Sequence, residues 1–399
     1  MKRALHYLIL AAVLLGVPLA CCVLGGYDDV LETAKQFPPR TEDWGFHPEK
    51  LWNVRRPFNW WWFLGMATFT AACLFPFLRR GFRALKRQTS HVKPQTRFPL
   101  WGYLGLVLLV ASWTTAWSRF SCFSPYVQAL LSYFPVWMGY IVTMNAVVKW
   151  RSGTCPMTER PWLYAASFPA SALFWWFFEY LNRFVWNWYY LGIAGFGAVE
   201  YTVYATLCFA SVLPAVYVTA EFLGTFRFFD DRNYEGMAWK PDVRSPVSCG
   251  VLAVLSAVGL CGIVFVPEYV YLFLWISPLM VFVLVQVLLR EPCILDRLRT
   301  GSWGFVFRFE IAALCCGLCW ETWNYYAYAK WVYAVPWVHG FQVWEMPLIG
   351  FAGYLPFGVE CAAVTAWLGL PVSREGSATA CHSNSGDVFD IMDGNCKRR

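Results

Sequence analysis

Residues 174–190 read FWWFFEYLNRFVWNWYY, and residues 316–333 read CGLCWETWNYYAYAKWVY. Each places a Glu-x-x-Asn, Glu179 with Asn182 and Glu321 with Asn324, inside a run of aromatic and aliphatic residues. A carboxylate in lipid-spanning sequence is costly and faces a bundle interior or a wet cavity. Positions i and i+3 are neighbours on one helix face, so acid and amide point the same way. The two stretches therefore predict membrane helices with a polar site between them.

Composition agrees. The 399 residues are 58% hydrophobic and 14% charged, against roughly 25% charged in soluble domains. Several apolar runs reach ~20 residues, the length that crosses a hydrocarbon core of about 30 Å. Aromatics make up 20% of the chain. A belt of interfacial Trp and Tyr accounts for part of that excess, but not for Trp60-Trp61-Trp62 or for residues 186–190. A net charge of +7 suggests nucleic acid in a soluble protein. Here the excess sits in loops and reads as membrane topology, so membrane lipids rather than nucleic acid are the expected partners. Many of the fifteen cysteines (Cys73, Cys208, Cys261, Cys315, Cys316 and Cys361 among them) lie in apolar runs and read as small buried hydrophobes. No P-loop, GxGxxG, HExxH or aspartate-rich diphosphate motif is present, so the sequence names no metal and leaves the cofactor open.

The basic loop at 79–97 carries seven Lys or Arg and no acid, which places it in the cytoplasm. From it follow ten spans, near 5–24, 60–78, 100–117, 126–148, 162–182, 199–223, 249–266, 269–289, 303–324 and 345–370, with both termini inside. The N-terminal segment 1–26 reads as a first membrane helix, with a signal anchor or a lipoprotein box at Pro18-Leu19-Ala20-Cys21 as alternatives. A polar extracytoplasmic loop occupies 27–59, and a second helix with its basic loop spans 60–99. Residues 371–399, rich in Ser, Gly and Asp, read as a disordered cytoplasmic tail.

The two Glu-x-x-Asn stretches belong to a longer recurrence. Trp162 and Trp303 precede the two acids by 17 and 18 residues. A Trp-x-Tyr follows each, Trp188 to Tyr190 and Trp331 to Tyr333. Next come Glu200 or Glu345, then Leu213-Pro214 or Leu355-Pro356, then Glu221 or Glu360. The copies begin an even number of spans apart and so share orientation. This predicts an all-α membrane protein of two parallel four-helix repeats, 100–246 and 247–370, after a two-helix addition, with a cavity between the copies. The mid-span prolines kink their helices and free backbone groups that neighbours or cavity waters must satisfy.

Glu179, Glu200, Glu321 and Glu345 fall toward the outer helix ends and are the expected acids, with Asn182 and Asn324 orienting them. Glu360 lies deeper. Trp186, Trp188, Tyr190, Trp331 and Tyr333 are the expected substrate-binding rings. A protonated carboxyl in an aromatic wall suits protonation of an alkene or epoxide, and the rings stabilise the resulting cation by ~2 kcal/mol or more per desolvated contact. The leading expectation is an enzyme acting on a lipid or isoprenoid by acid-initiated, cyclase- or hydratase-like chemistry. A proton-coupled lipid or small-molecule transporter, or a non-catalytic membrane scaffold, uses the same residues differently.

FPVWMGYIV, FPASALFWWFFEYLNRFVWNWYYLG, VLPAVYVTAE and ETWNYYAYAKWVYAVPW with WEMPLIGFAGYLPFGVEC resemble a family of uncharacterised bacterial multi-pass proteins. That resemblance covers about 134–370 and implies the bacterial inner membrane, but no activity. WNYYAYAKWVYAVP, followed by Gly353-Tyr354-Leu355-Pro356 and Glu360, is similar to segments of small membrane lycopene cyclases. It implies Glu360 as an acid and Asn324 as a supporting polar group. Those enzymes carry two adjacent acids after the proline, whereas Gly358-Val359 precedes a single Glu360 here.

Overall fold

A computed structural model describes residues 2–27, 56–87, 94–118, 125–193 and 196–372. Most of the acidic loop, the centre of the basic loop, and the tail with Cys381, His382 and Cys396 lie outside the described residues. The helices are α1 (Lys2–Gly25), α2 (Trp60–Arg87), α3 (Leu100–Trp117), α4 (Pro125–Ser152), α5 (Pro161–Val185), α6 (Ala198–Phe209), α7 (Val212–Leu223), α8 (Pro246–Phe265), α9 (Ser277–Leu288), α10 (Gly304–Tyr325) and α11 (Tyr354–Trp367), joined by single turns and 3-10 segments. The strands described are β1 (Trp188–Leu191) with β2 (Lys330–Tyr333), and β3 (Gln342–Val343) with β4 (Met346–Pro347), both pairs antiparallel.

Six stretches among the described residues are long and apolar enough to cross a membrane: Leu5–Gly25, Trp60–Lys86, Leu100–Trp117, Ala198–Leu223, Pro246–Phe265 and Leu348–Trp367. A bent pair, Pro267–Trp275 with Ser277–Leu288 at 53°, makes seven if it forms one span. The architecture is all-α, multi-pass and membrane-like. The three further spans expected from sequence correspond to α4, α5 and α10. These are as long, but they mix Trp, Tyr and charge into their runs, and α10 holds Arg308, Glu310 and Glu321.

α7 is the hub, packed against α4, α5, α10 and α11. Its residues from Val212 to Ala220 are all buried. Lipid tails are as apolar as leucine, so packing rather than hydrophobicity joins such helices, and small side chains let backbones close in. Gly358 shows this. A β-carbon there would stand 2.3 Å from the Phe309 carbonyl oxygen, so only glycine allows α11 to lie this close on α10. At the edge, α2 buries little of its surface, as a lipid-facing helix should.

Both Leu-Pro pairs sit just after a break between helical segments, 209–212 in one case and the 3-10 segment Leu348–Gly353 in the other. In the first break Ser171 of α5 replaces the lost helical bonds. Its hydroxyl donates to the Phe209 carbonyl at 2.6 Å and accepts from Leu213 N–H at 3.0 Å. A neighbouring helix thereby satisfies backbone that lipid cannot.

α1 is docked along α8 and α9. Its carbonyl at Leu15 accepts from the Tyr180 hydroxyl at 2.7 Å, and buried His6 meets Glu291 at 2.8 Å.

Candidate functional site: two carboxylates behind one aromatic wall

α5 carries Glu179 and Asn182 into its last turns. Trp186 then takes the left-handed conformation, φ 54°, and turns the chain from helix into β1. Asn182 fixes that exit. Its amide donates to the Trp188 carbonyl at 2.7 Å, while its oxygen accepts from the N–H groups of Asn187 (2.8 Å) and Trp188 (3.3 Å). One oxygen of Glu179 accepts from Trp175 Nε1 at 3.1 Å, Trp188 Nε1 at 3.1 Å and the Tyr190 hydroxyl at 2.5 Å. Trp175 is one turn earlier on the same helix, so the acid joins its own helix to the strand beyond it.

α10 ends in the same local arrangement. The Asn324 amide donates to the Trp331 carbonyl at 2.7 Å and its oxygen accepts from Trp331 N–H at 2.9 Å. Glu321 Oε1 accepts from the Tyr333 hydroxyl (2.6 Å), the Tyr354 hydroxyl (3.2 Å) and Trp331 Nε1 (3.3 Å). Trp331 Nε1 also donates to the Tyr333 hydroxyl at 2.9 Å. Tyr354 reaches the acid because position 317 is glycine, where a β-carbon would come within 2.3 Å of the Tyr354 ring. Glu321 and Asn324 are fully buried, and Glu321 Oε2 has no hydrogen-bond partner among the described residues.

The strand pair brings the two units together. Trp188 faces Tyr333 and Tyr190 faces Trp331 in the register, with Tyr189 opposite Val332 at the centre. Residues two apart on a strand share a face. All four rings of the two Trp-x-Tyr motifs therefore line one side of the ribbon, the side from which both acids hold them.

That side borders a cavity of about 110 Å³, walled by Trp175, Trp188 and Tyr190 of one unit and Trp331, Tyr333 and Tyr354 of the other. Tyr133, Trp275 and Trp320 complete the inner wall, and Tyr201, Tyr204 and Phe209 the side toward α6. For scale, an apolar cavity of about 150 Å³ accepts benzene. Glu179 and Glu321 themselves are not part of the lining, and the indole and phenol groups that bind them belong to residues that are. Its lining is mostly aromatic side chains.

The remaining sequence candidates lie elsewhere. Glu200 is exposed and caps α6, accepting from Gly197 N–H at 2.9 Å, so it does not join Glu179 and Glu321. Glu345 pairs with Lys330 at 2.5 Å, which ties the β3–β4 turn to the start of β2. Glu360 is 2% exposed on α11, and its Oε2 lacks a partner among the described residues. It lies about 9 Å of helix beyond Tyr354 and is not part of the cavity wall. Trp186 shapes the helix exit and does not line the cavity. Conversely, Trp175 and Tyr354 bind the acids directly without having been singled out. The i−4 spacing from Glu179 was a usable signal for Trp175. For Tyr354 the signal was the neighbouring Leu-Pro.

Among the described residues no group of His, Cys, Asp or Glu could hold a metal ion, and Cys315, Cys316 and Cys319 are free thiols. No family model, curated protein or solved structure matches this chain.

Proposed function

We propose that this protein is a ten-span enzyme of the bacterial inner membrane, with both termini cytoplasmic, that protonates an unsaturated group of a lipid or isoprenoid held in the aromatic cavity. In this reading α4, α5 and α10 also span, and the chain is a parallel duplication preceded by α1 and α2. The matching bonds of Glu179 with Asn182 and Glu321 with Asn324, across a strand pair that sets one Trp-x-Tyr against the other, support the duplication.

One observation carries the chemistry. Glu321 has one oxygen fixed by three donors of the cavity wall and the other buried without a partner among the described residues. Because that second oxygen is unbonded, a protonated Glu321 turns its carboxyl over and presents its O–H to the Tyr333 and Tyr354 hydroxyls. Rotation of the Tyr333 or Tyr354 hydroxyl lets the proton pass through the wall, the phenol giving its own proton to an alkene carbon and taking one from Glu321. The alkene π electrons form the new C–H bond and leave a carbocation, which the Trp and Tyr faces stabilise. Return of a proton from the adjacent carbon, or from a captured water, to the Glu321 carboxylate through the same hydroxyl completes a cyclisation, isomerisation or hydration and restores the acid.

The test is the lipid profile of a deletion strain complemented with wild type or with Glu321→Gln. Wild type should restore a product that the deletion lacks, whereas the variant should leave its precursor to accumulate. An unchanged lipid profile in the deletion strain would count against enzymatic activity altogether.

A further inference from the structure

The opposite end of the molecule carries a second concave site. Arg308 lies roughly 20 Å along α10 from Glu321 and is fully buried, paired with Glu221 at 3.2 Å and Asp231 at 3.0 Å. These pairs fix the loop that follows α7. Arg244 anchors its far end through a forked contact with Asp296 at 2.7 and 2.8 Å. The last turns of α2 lie against this ordered loop, where Arg80 donates to the carbonyls of Glu235 (2.6 Å) and Gly236 (3.2 Å). Between helix and loop opens a cleft of about 550 Å³, lined by Arg80, Arg83, Arg227 and Arg232 against Asp230 and Glu235.

We propose that this cleft binds the phosphate of an anionic lipid headgroup. Four guanidinium groups outnumber two carboxylates there, and Asp230 is already held by the fork of Arg232 at 2.6 and 3.0 Å. A guanidinium fork matches phosphate oxygens in bidentate fashion. Basic side chains at a helix end often serve topology alone. Here they line a walled cleft because Arg80 and Arg308 hold the loop in place. The acyl chains have a track as well. Phe75, Leu78, Phe82 and Leu85 are exposed on α2 at spacings of one helical face, and Phe82 packs edge-on against Phe228 of the loop. That apolar track favours a lipid over a soluble phosphate.

The experiment measures binding by native mass spectrometry of the purified full chain, titrated with dioleoylphosphatidylglycerol, dioleoylphosphatidylcholine or inorganic phosphate. The glycerol lipid should be retained in preference to the choline lipid. The double variant Arg83→Gln/Arg227→Gln should bind it roughly 30-fold more weakly, about 2 kcal/mol at 1.4 kcal/mol per tenfold, and Arg160→Gln, a basic change outside the cleft, should not. Arg83→Lys/Arg227→Lys keeps charge without forks and should fall between, which separates recognition from misfolding should the glutamine variant be unstable. Equal retention of both lipids, or undiminished binding by both double variants, would overturn the proposal. Saturation by inorganic phosphate in place of lipid would overturn the lipid as its source.

Discussion

At the scale of single residues, the site depends on side chains that hold backbone and on acids that hold rings. Each Asn bonds both the N–H and the C=O of one residue of its strand, Trp188 or Trp331, and an alanine leaves both open. Asn324→Ala should destabilise the protein by roughly 1–3 kcal/mol, the penalty for buried polar groups left unsatisfied. Asn324→Asp, which buries a charge and sets an acceptor against the Trp331 carbonyl, should destabilise at least as much. Thermal unfolding in detergent measures both, and equal melting of Asn324→Ala and wild type would remove the clamp. Glu321→Gln keeps size and an acceptor oxygen, so it should fold near wild type while abolishing the proposed product. These acids and amides were legible in the sequence because polar side chains stand out in apolar runs. Their partners were not. In a chain with 24 Trp and 21 Tyr, the only local marks on Trp175 and Tyr354 are a position four residues before Glu179 and a neighbouring Leu-Pro, which rings of the interfacial belt can share. Glu200 and Glu345 looked like Glu179 and Glu321, and only their neighbours in space, a helix N-terminus and Lys330, separate them.

At the scale of elements, close approaches decide which groups meet. Gly317 lets the Tyr354 ring lie against α10, so Gly317→Ala should push the ring away and break its bond to Glu321. In a Tyr354→Ala background the same substitution should have much of its effect removed. A double-mutant cycle should therefore return a coupling of about 0.5–3 kcal/mol, and strict additivity would show that the two do not compete for space. Helix existence was legible from apolar runs, whereas the strand pair was not, because four-residue strands leave too little periodicity to distinguish from helix ends. α1 is likewise held by packing. With Cys22, Leu14 and His6 buried and Tyr180 bonded to its backbone, removal would strip a wall from α8 and α9. Intact mass of the purified protein should therefore include α1. In the loop after α7, the Arg232 guanidinium holds the Asp230 carboxyl below the usual carboxylate range, chiefly by hydrogen bonding. A depressed folded value stabilises the loop above the unfolded value of about 3.9 and is lost as pH falls through the folded one. Amide protection factors across 227–236, corrected for the intrinsic pH dependence of exchange, should fall below about pH 4, before those in α7 do.

At the scale of the whole molecule, the open structural question is how many times the chain crosses the bilayer. Six helical stretches qualify by length and hydropathy, and the difference from ten lies in α4, α5, α10 and the bent pair that ends in α9. The side of each connection is therefore decisive. If α4 and α5 span, Glu159 between them faces the cytoplasm, although one crossing by α3 alone would leave it outside. If α10 spans, Arg299 before it and Gln342 after it face opposite sides. Glu159 and Arg299 lie in short helical turns between the longer helices and Gln342 in β3, and all three are exposed, so cysteine at these positions is accessible to reagent outside the long helices. In a cysteine-free background, a membrane-impermeant maleimide added to intact cells should label Gln342→Cys and Glu200→Cys. It should reach Glu159→Cys and Arg299→Cys only after lysis. Labelling of Glu159→Cys in intact cells would remove α4 and α5 from the membrane. The parallel repeat would then lose its basis, because the two Glu-x-x-Asn helices could no longer share an orientation. The bonds around each acid would remain as they are, but as a structural device rather than as two halves of one site.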